Sequence, residues 1–168
     1  MKKPLLALIF GTFGVIAVSN ARDVEYRWEH GFHQGYTASV RSKDGQVVFD
    51  FHCLGSIDGT MEMGVNIRSM NRNLPPALRG DHDVQIVVDD ENYPASITDG
   101  LGTASTNQDR QNILNAAEAL SKTKSPYFLI EIPDANWSRE FSTAGARSEL
   151  FIKYGDNKPP KNMFDACQ

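Results

Sequence analysis

The chain has 168 residues, 17 of them basic and 21 acidic, with a hydrophobic share of 40% and a formal charge of −4. That length supports one domain with a proper core. The acidic balance argues against nucleic acid or anionic lipid as a partner and favours a basic protein.

Residues 1–21 predict a cleaved secretory signal. Lys2 and Lys3 form a positive start, residues 5–18 are almost wholly apolar, and Ser19 and Ala21 place small side chains at −3 and −1. The apolar run falls short of the roughly 20 residues that a bilayer span needs, so the protein is not expected to be membrane-embedded. Cleavage after Ala21 and release into a bacterial periplasm are expected, with residues 22–168 as a single domain. Subtracting Lys2 and Lys3 from 17 basic residues leaves 15 against 21 acidic ones, a formal −6.

The exported part opens with Val24, Tyr26 and Trp28 alternating with charged residues, which predicts a strand with Tyr26 and Trp28 facing the core. Residues 31–35 are expected to break it, and 36–41 to resume as a second strand. Lys43-Asp44-Gly45-Gln46 carries the Asp-Gly hairpin signal. Val47, Phe49 and Phe51 then alternate up to Cys53, and Met61, Met63, Val65 and Ile67 alternate after a turn at 55–59. Residues 68–82, with Pro75 and Pro76, are expected as a long loop. Val84, Ile86 and Val88 restart the sheet. Asp89-Asp90-Glu91-Asn92 reads as a solvated turn, because it lacks the alternate oxygen ligands of a calcium loop, and a short strand is expected around 95–101.

Thr106 and Asp109 have capping-box spacing, and Ile113, Leu114, Ala117 and Leu120 recur at helical intervals, so a helix is predicted over 106–121. Residues 127–132 form a strand between two prolines. Ser142 is expected to cap a second helix running to Tyr154, with Gly155 beyond its end. The predicted fold is α+β, a mostly antiparallel sheet with two helices packed on one face.

Cys53 and Cys167 are the only cysteines. An even count in an oxidising compartment predicts a Cys53–Cys167 disulfide. It closes a loop of about a hundred residues, which a chain-entropy treatment values at roughly 4–5 kcal/mol.

Catalytic signatures are sparse. There is no GxSxG, HExxH, CxxC or phosphate-binding glycine loop. His30, His33, His52 and His82 are the candidates for a small secreted hydrolase or metal-dependent enzyme, but His30 and His33 lack a third ligand nearby. Solvent-exposed loop histidines explain them better, and neither catalysis nor a cofactor is expected. The segment from His30 to Gly35 is read instead as a glycine-flanked contact loop with Phe32 as its anchor. The long basic loop adds Arg68, Arg72 and Leu74 as contact candidates.

Three features occur together: a strand ending in a lone cysteine (Val47-Val48-Phe49-Asp50-Phe51-His52-Cys53), the helix-opening Phe141-Ser142-Thr143-Ala144-Gly145-Ala146, and the final Cys167. In this layout the chain resembles small exported proteobacterial envelope proteins of the invasion-associated-locus-B kind and the periplasmic accessory protein of type VI secretion. It departs from them in the longer connection over 155–166. The resemblance implies a sheet with helices, one clamp disulfide and a non-enzymatic envelope role; it transfers no binding residue. The expected function is a soluble periplasmic protein-binding module, an envelope accessory factor or an inhibitor or immunity protein. A cationic wall hydrolase is an attractive partner for a −6 chain. A small-ligand carrier is the third reading.

Overall fold

A computed structural model describes residues 26–32, 35–56, 58–71, 73–152 and 161–167. The expected signal peptide lies outside them. The chain forms β1 (Glu29–Phe32), β2 (Gly35–Arg41), β3 (Val47–Gly55), β4 (Met61–Ser69), β5 (Asp81–Val88), β6 (Glu91–Thr98) and β7 (Leu101–Thr103). Then come α1 (Asn107–Lys122), β8 (Tyr127–Ile132), β9 (Trp137–Ser142) and the short α2 (Ala146–Leu150). A small ladder of β10 (Phe151–Ile152) and β11 (Lys161–Asn162) precedes a 3₁₀ segment, Met163–Cys167.

Nine strands make one antiparallel sheet in the order β1-β2-β3-β4-β7-β6-β5-β8-β9. The sheet curls until its ends meet. Ser42 bridges to Phe141, the Lys43 N–H donates to the Glu140 carbonyl at 2.8 Å, and the Trp28 N–H donates to the Ala144 carbonyl at 2.9 Å. Helix α1 lies against β4, β5 and β6 and touches α2. The mostly antiparallel sheet, the two helices and the Cys53–Cys167 disulfide are thus as the sequence predicts.

The inner side of the curl is aromatic. Trp28 stacks between Phe51 and Phe128, each with its ring centroid 5.9 Å away, and Phe128 stacks on Phe141 at 5.5 Å. The Trp28 Nε1–H donates to the Ser142 carbonyl at 2.9 Å, so the one polar atom of the ring is satisfied inside the core. Phe164 meets Phe51 edge-on, and the disulfide fastens that tail to the inner row of β3.

Several expectations are corrected. The first strand begins after Trp28, at Glu29, and takes in His30, Gly31 and Phe32 as a ladder with β2 rather than a loop. Its glycines serve close approach. A Cβ on Gly31 would lie 2.8 Å from the Thr37 hydroxyl, and one on Gly35, which has φ +149°, would lie 2.1 Å from the Cys53 carbonyl. Trp28 is in the core as expected, but Tyr26 is half-buried with its ring under Arg41. Arg68 belongs to β4, and the loop after it is pinned by the fully buried Leu78.

The acidic turn is shorter than expected. Asp89 and Asp90 both take positive φ, 50° and 67°, as a two-residue hairpin turn requires, and β6 starts at Glu91. The Thr106–Asp109 capping box forms in full. The second helix is only five residues long, because Ser142 ends the unforeseen strand β9 and Phe151 pairs with Asn162.

Candidate functional site

Strand register fixes what the outer side of the sheet presents. Thr37, His52, Gly64 and Thr103 lie opposite one another across β2, β3, β4 and β7. Ser39, Asp50, Asn66 and Leu101 form the next row, and Arg41, Val48 and Arg68 the third. Because side chains alternate, these rows point away from the Phe49 and Phe51 face.

Asp50 and His52 are nevertheless buried, with side chains only 6% and 4% exposed. Burying a carboxylate is costly unless it is paired. Arg68 supplies the pair: its Nε–H donates to Asp50 at 3.2 Å while 53% of its own side chain stays exposed. The Asn66 amide reaches the same oxygen at 3.5 Å. The His52 Nδ1 is 3.9 Å from Asp50, too far for a hydrogen bond. The imidazole has room because residue 64 is glycine; a Cβ there would sit 2.5 Å from the ring.

Beside this polar layer, a groove of about 710 Å³ opens over β1–β4. Arg27, Arg41 and Arg68 line it, with His30, Glu29 and Met70. The Arg41 guanidinium is held over the Tyr26 ring, 5.6 Å from its centroid, and Met70 is 42% exposed. Among the described residues, the side chains of Arg41 and Arg27 make no hydrogen bond, and that of Arg68 uses only Nε.

A second groove lies over β5–β7 and has the opposite sign. Asp81, Asp83 and Asp134 line it with His82 and the exposed Leu101. Its acids are already engaged. Thr98 donates to Asp81 at 2.7 Å, Ser96 to Asp83 at 3.3 Å, and His82 Nδ1 is 2.7 Å from Asp134. The other nitrogen of His82 donates to the Arg79 carbonyl at 2.8 Å. An imidazole with acceptors at both nitrogens is fully satisfied only as an imidazolium. The hydrogen bond to Asp134 accordingly holds the His82 pKa above its ordinary value, and His82 holds that of Asp134 below its own.

Both grooves fall within residues 26–150, and that stretch matches the YfjT family model. The chain belongs to the YfjT family. The YfjT segment runs from Tyr26 to the end of α2, so it contains Cys53 but not its partner Cys167. No curated protein and no solved structure matches the chain.

Within the YfjT segment the contact residues expected from sequence separate. His30 and Arg68 line the same arginine-rich groove. His30 also pairs with Glu149 of α2 at 2.6 Å. Leu74 is half-buried against the core. Phe32 belongs to the β1 ladder and its side chain lies outside the described residues, as do His33 and Arg72. The histidines do not converge. His52 and His82 stand on β3 and β5 with three strands between them. Among the described residues, no three His, Cys, Asp or Glu side chains group to hold a metal.

Sequence reasoning missed Arg41, Tyr26 and Asp50. The available signal was Asp50 itself, a carboxylate flanked by phenylalanines within an alternating strand. Arg41 and Arg68 become neighbours only when both register against Val48.

Proposed function

We propose that this YfjT-family chain is an exported, non-catalytic protein-binding module of the periplasm, acting as an envelope accessory factor or an inhibitor. The observation that carries this reading is the open outer side of the sheet, where His30 and Arg68, two of the contact residues expected from sequence, share one groove. The Lys2-Lys3 start, the apolar run and the small residues before Arg22 support export. A disulfide between the chain's only two cysteines fits an oxidising compartment. The resemblance in layout to invasion-associated-locus-B-like proteins supports a non-enzymatic envelope role. Phe32, His33, Arg72 and Leu74 stay as further contact candidates on the sequence argument alone.

Affinity-tagged protein recovered from the periplasm tests the proposal. One stoichiometric protein partner is expected, and recovery of none overturns it. Within this function, inhibition of a cationic wall hydrolase is favoured by the acidic charge of the exported chain. Undiminished lysozyme activity in the presence of micromolar protein removes that version.

A further inference from the structure

The arginine groove differs from an ordinary charged surface in how its cations are held. Arg68 is fixed through Nε to the buried Asp50, so the terminal nitrogens of its guanidinium remain to face the groove. Arg41 is fixed by stacking on Tyr26. Long side chains normally lose rotamer entropy when they bind, and these two have lost part of it in folding. The cradle also contains its own second-row support, because Asn66 steadies the carboxylate that orients Arg68.

Register sets the spacing. Arg41 and Arg68 both stand opposite Val48, one on each neighbouring strand, so their backbones are two strand spacings apart, roughly 10 Å. Small swings of the two guanidinium groups about these anchors let them reach carboxylates roughly 7 Å apart, the distance between alternate residues of an extended peptide. Met70 offers an apolar surface at the same place. At about 710 Å³ the groove is far larger than one small anion, and Arg27, Arg41 and Arg68 all line it.

We propose that this groove receives an extended acidic peptide segment of the partner protein, in which carboxylates at alternate positions pair with Arg41 and Arg68 and an apolar residue two positions further on, on the same face, rests on Met70. This inference rests on the protein-binding function above and names the chemistry of one local segment of the partner, not the partner's net charge. The neighbouring Asp81, Asp83 and Asp134 groove repels the same peptide and so confines it to the arginine side.

The test is fluorescence anisotropy of the disulfide-intact protein with a labelled Thr-Glu-Thr-Glu-Thr-Val peptide, whose two Glu and Val share one face when extended, and its Gln-for-Glu counterpart. Saturable binding of the acidic peptide alone, weakened by added salt, is expected. Arg41→Gln should weaken it roughly ten- to hundred-fold, the range for one lost charge-assisted hydrogen bond. Arg110→Gln, on the exposed face of α1, should leave it unchanged. Asp50→Asn, which frees Arg68, should reduce affinity while Arg68→Lys retains part of it; thermal melts of each variant separate this from unfolding. Equal binding of the two peptides, or full affinity in Arg41→Gln, overturns the inference. Arg41-dependent binding to anionic lipid vesicles without peptide binding also overturns it. A partner still recovered from the periplasm by Arg41→Gln sinks the acidic-segment inference and leaves the protein-binding function standing, whereas recovery of no partner by the unsubstituted chain removes both.

Discussion

The two sides of strand β3 are almost equally buried and chemically opposite. Inward, Val47, Phe49, Phe51 and Cys53 join an aromatic stack closed by a disulfide. Outward, Val48, Asp50 and His52 are buried too, and there Arg68 and Asn66 hold the Asp50 carboxylate. The inner side needs only matching shapes. The outer side needs a partner for each polar group, so it holds its neighbours in specific places. That difference explains why the candidate site adjoins the outer side: a buried carboxylate there orients a cation whose side chain stays half exposed.

Four experiments probe the contrast, in order of expected effect. Replacing both Cys53 and Cys167 by Ala should cost up to about 4–5 kcal/mol in urea unfolding, because the bridge constrains an unfolded loop of about a hundred residues. A cost near zero would mean that the tail is held by Met163 and Phe164 alone. Trp28→Ala should cost about 3–5 kcal/mol, as expected for emptying a packed aromatic site. A much smaller loss would show that the inner side tolerates voids and is not the tighter of the two.

On the outer side, Arg68→Ala should cost about 1–3 kcal/mol by leaving the Asp50 carboxylate without its main partner. The double variant Asp50→Leu with Arg68→Leu should recover most of that loss, since apolar residues of similar size leave nothing unpaired. If the double variant is worse than the single one, the pair stabilises the fold directly. The smallest effect concerns His82 in the acidic groove. Its folded pKa is raised by Asp134, so its contribution is fully present below the unfolded histidine value of about 6.5 and is lost as pH rises through the raised folded value. Thermal stability should therefore decline slightly from mildly acid to mildly alkaline pH. Asp134→Asn should flatten that slope, which melts across the pH range would show, and an unaltered slope would assign it to another group.

The meander, the Asp-Gly hairpin, the capping box and strand β8 were legible in sequence because each rests on neighbours within a few residues. Strand β9 was not. In Trp137-Ser138-Arg139-Glu140-Phe141-Ser142 only Trp137 and Phe141 mark the inner side, and the strand exists because β8 templates it. Gly31 and Gly35 look like strand breakers in sequence, yet both lie in the ladder where a neighbouring backbone or hydroxyl fills the place of a side chain. His30 and Arg68 were singled out from composition and loop length, while Arg41 carried no local mark.

By itself, then, the sequence determined the alternation of the strands, the placing of α1 and the pairing of two cysteines, all set by local periodicity, capping chemistry and residue count. Only the tertiary structure decided that the sheet would curl until Ser42 meets Phe141, that Asp50 and His52 would be buried on its outer side, and that Arg41 and Arg68 would flank Val48. Those outcomes depend on register between strands distant in the chain, which no short window of residues encodes.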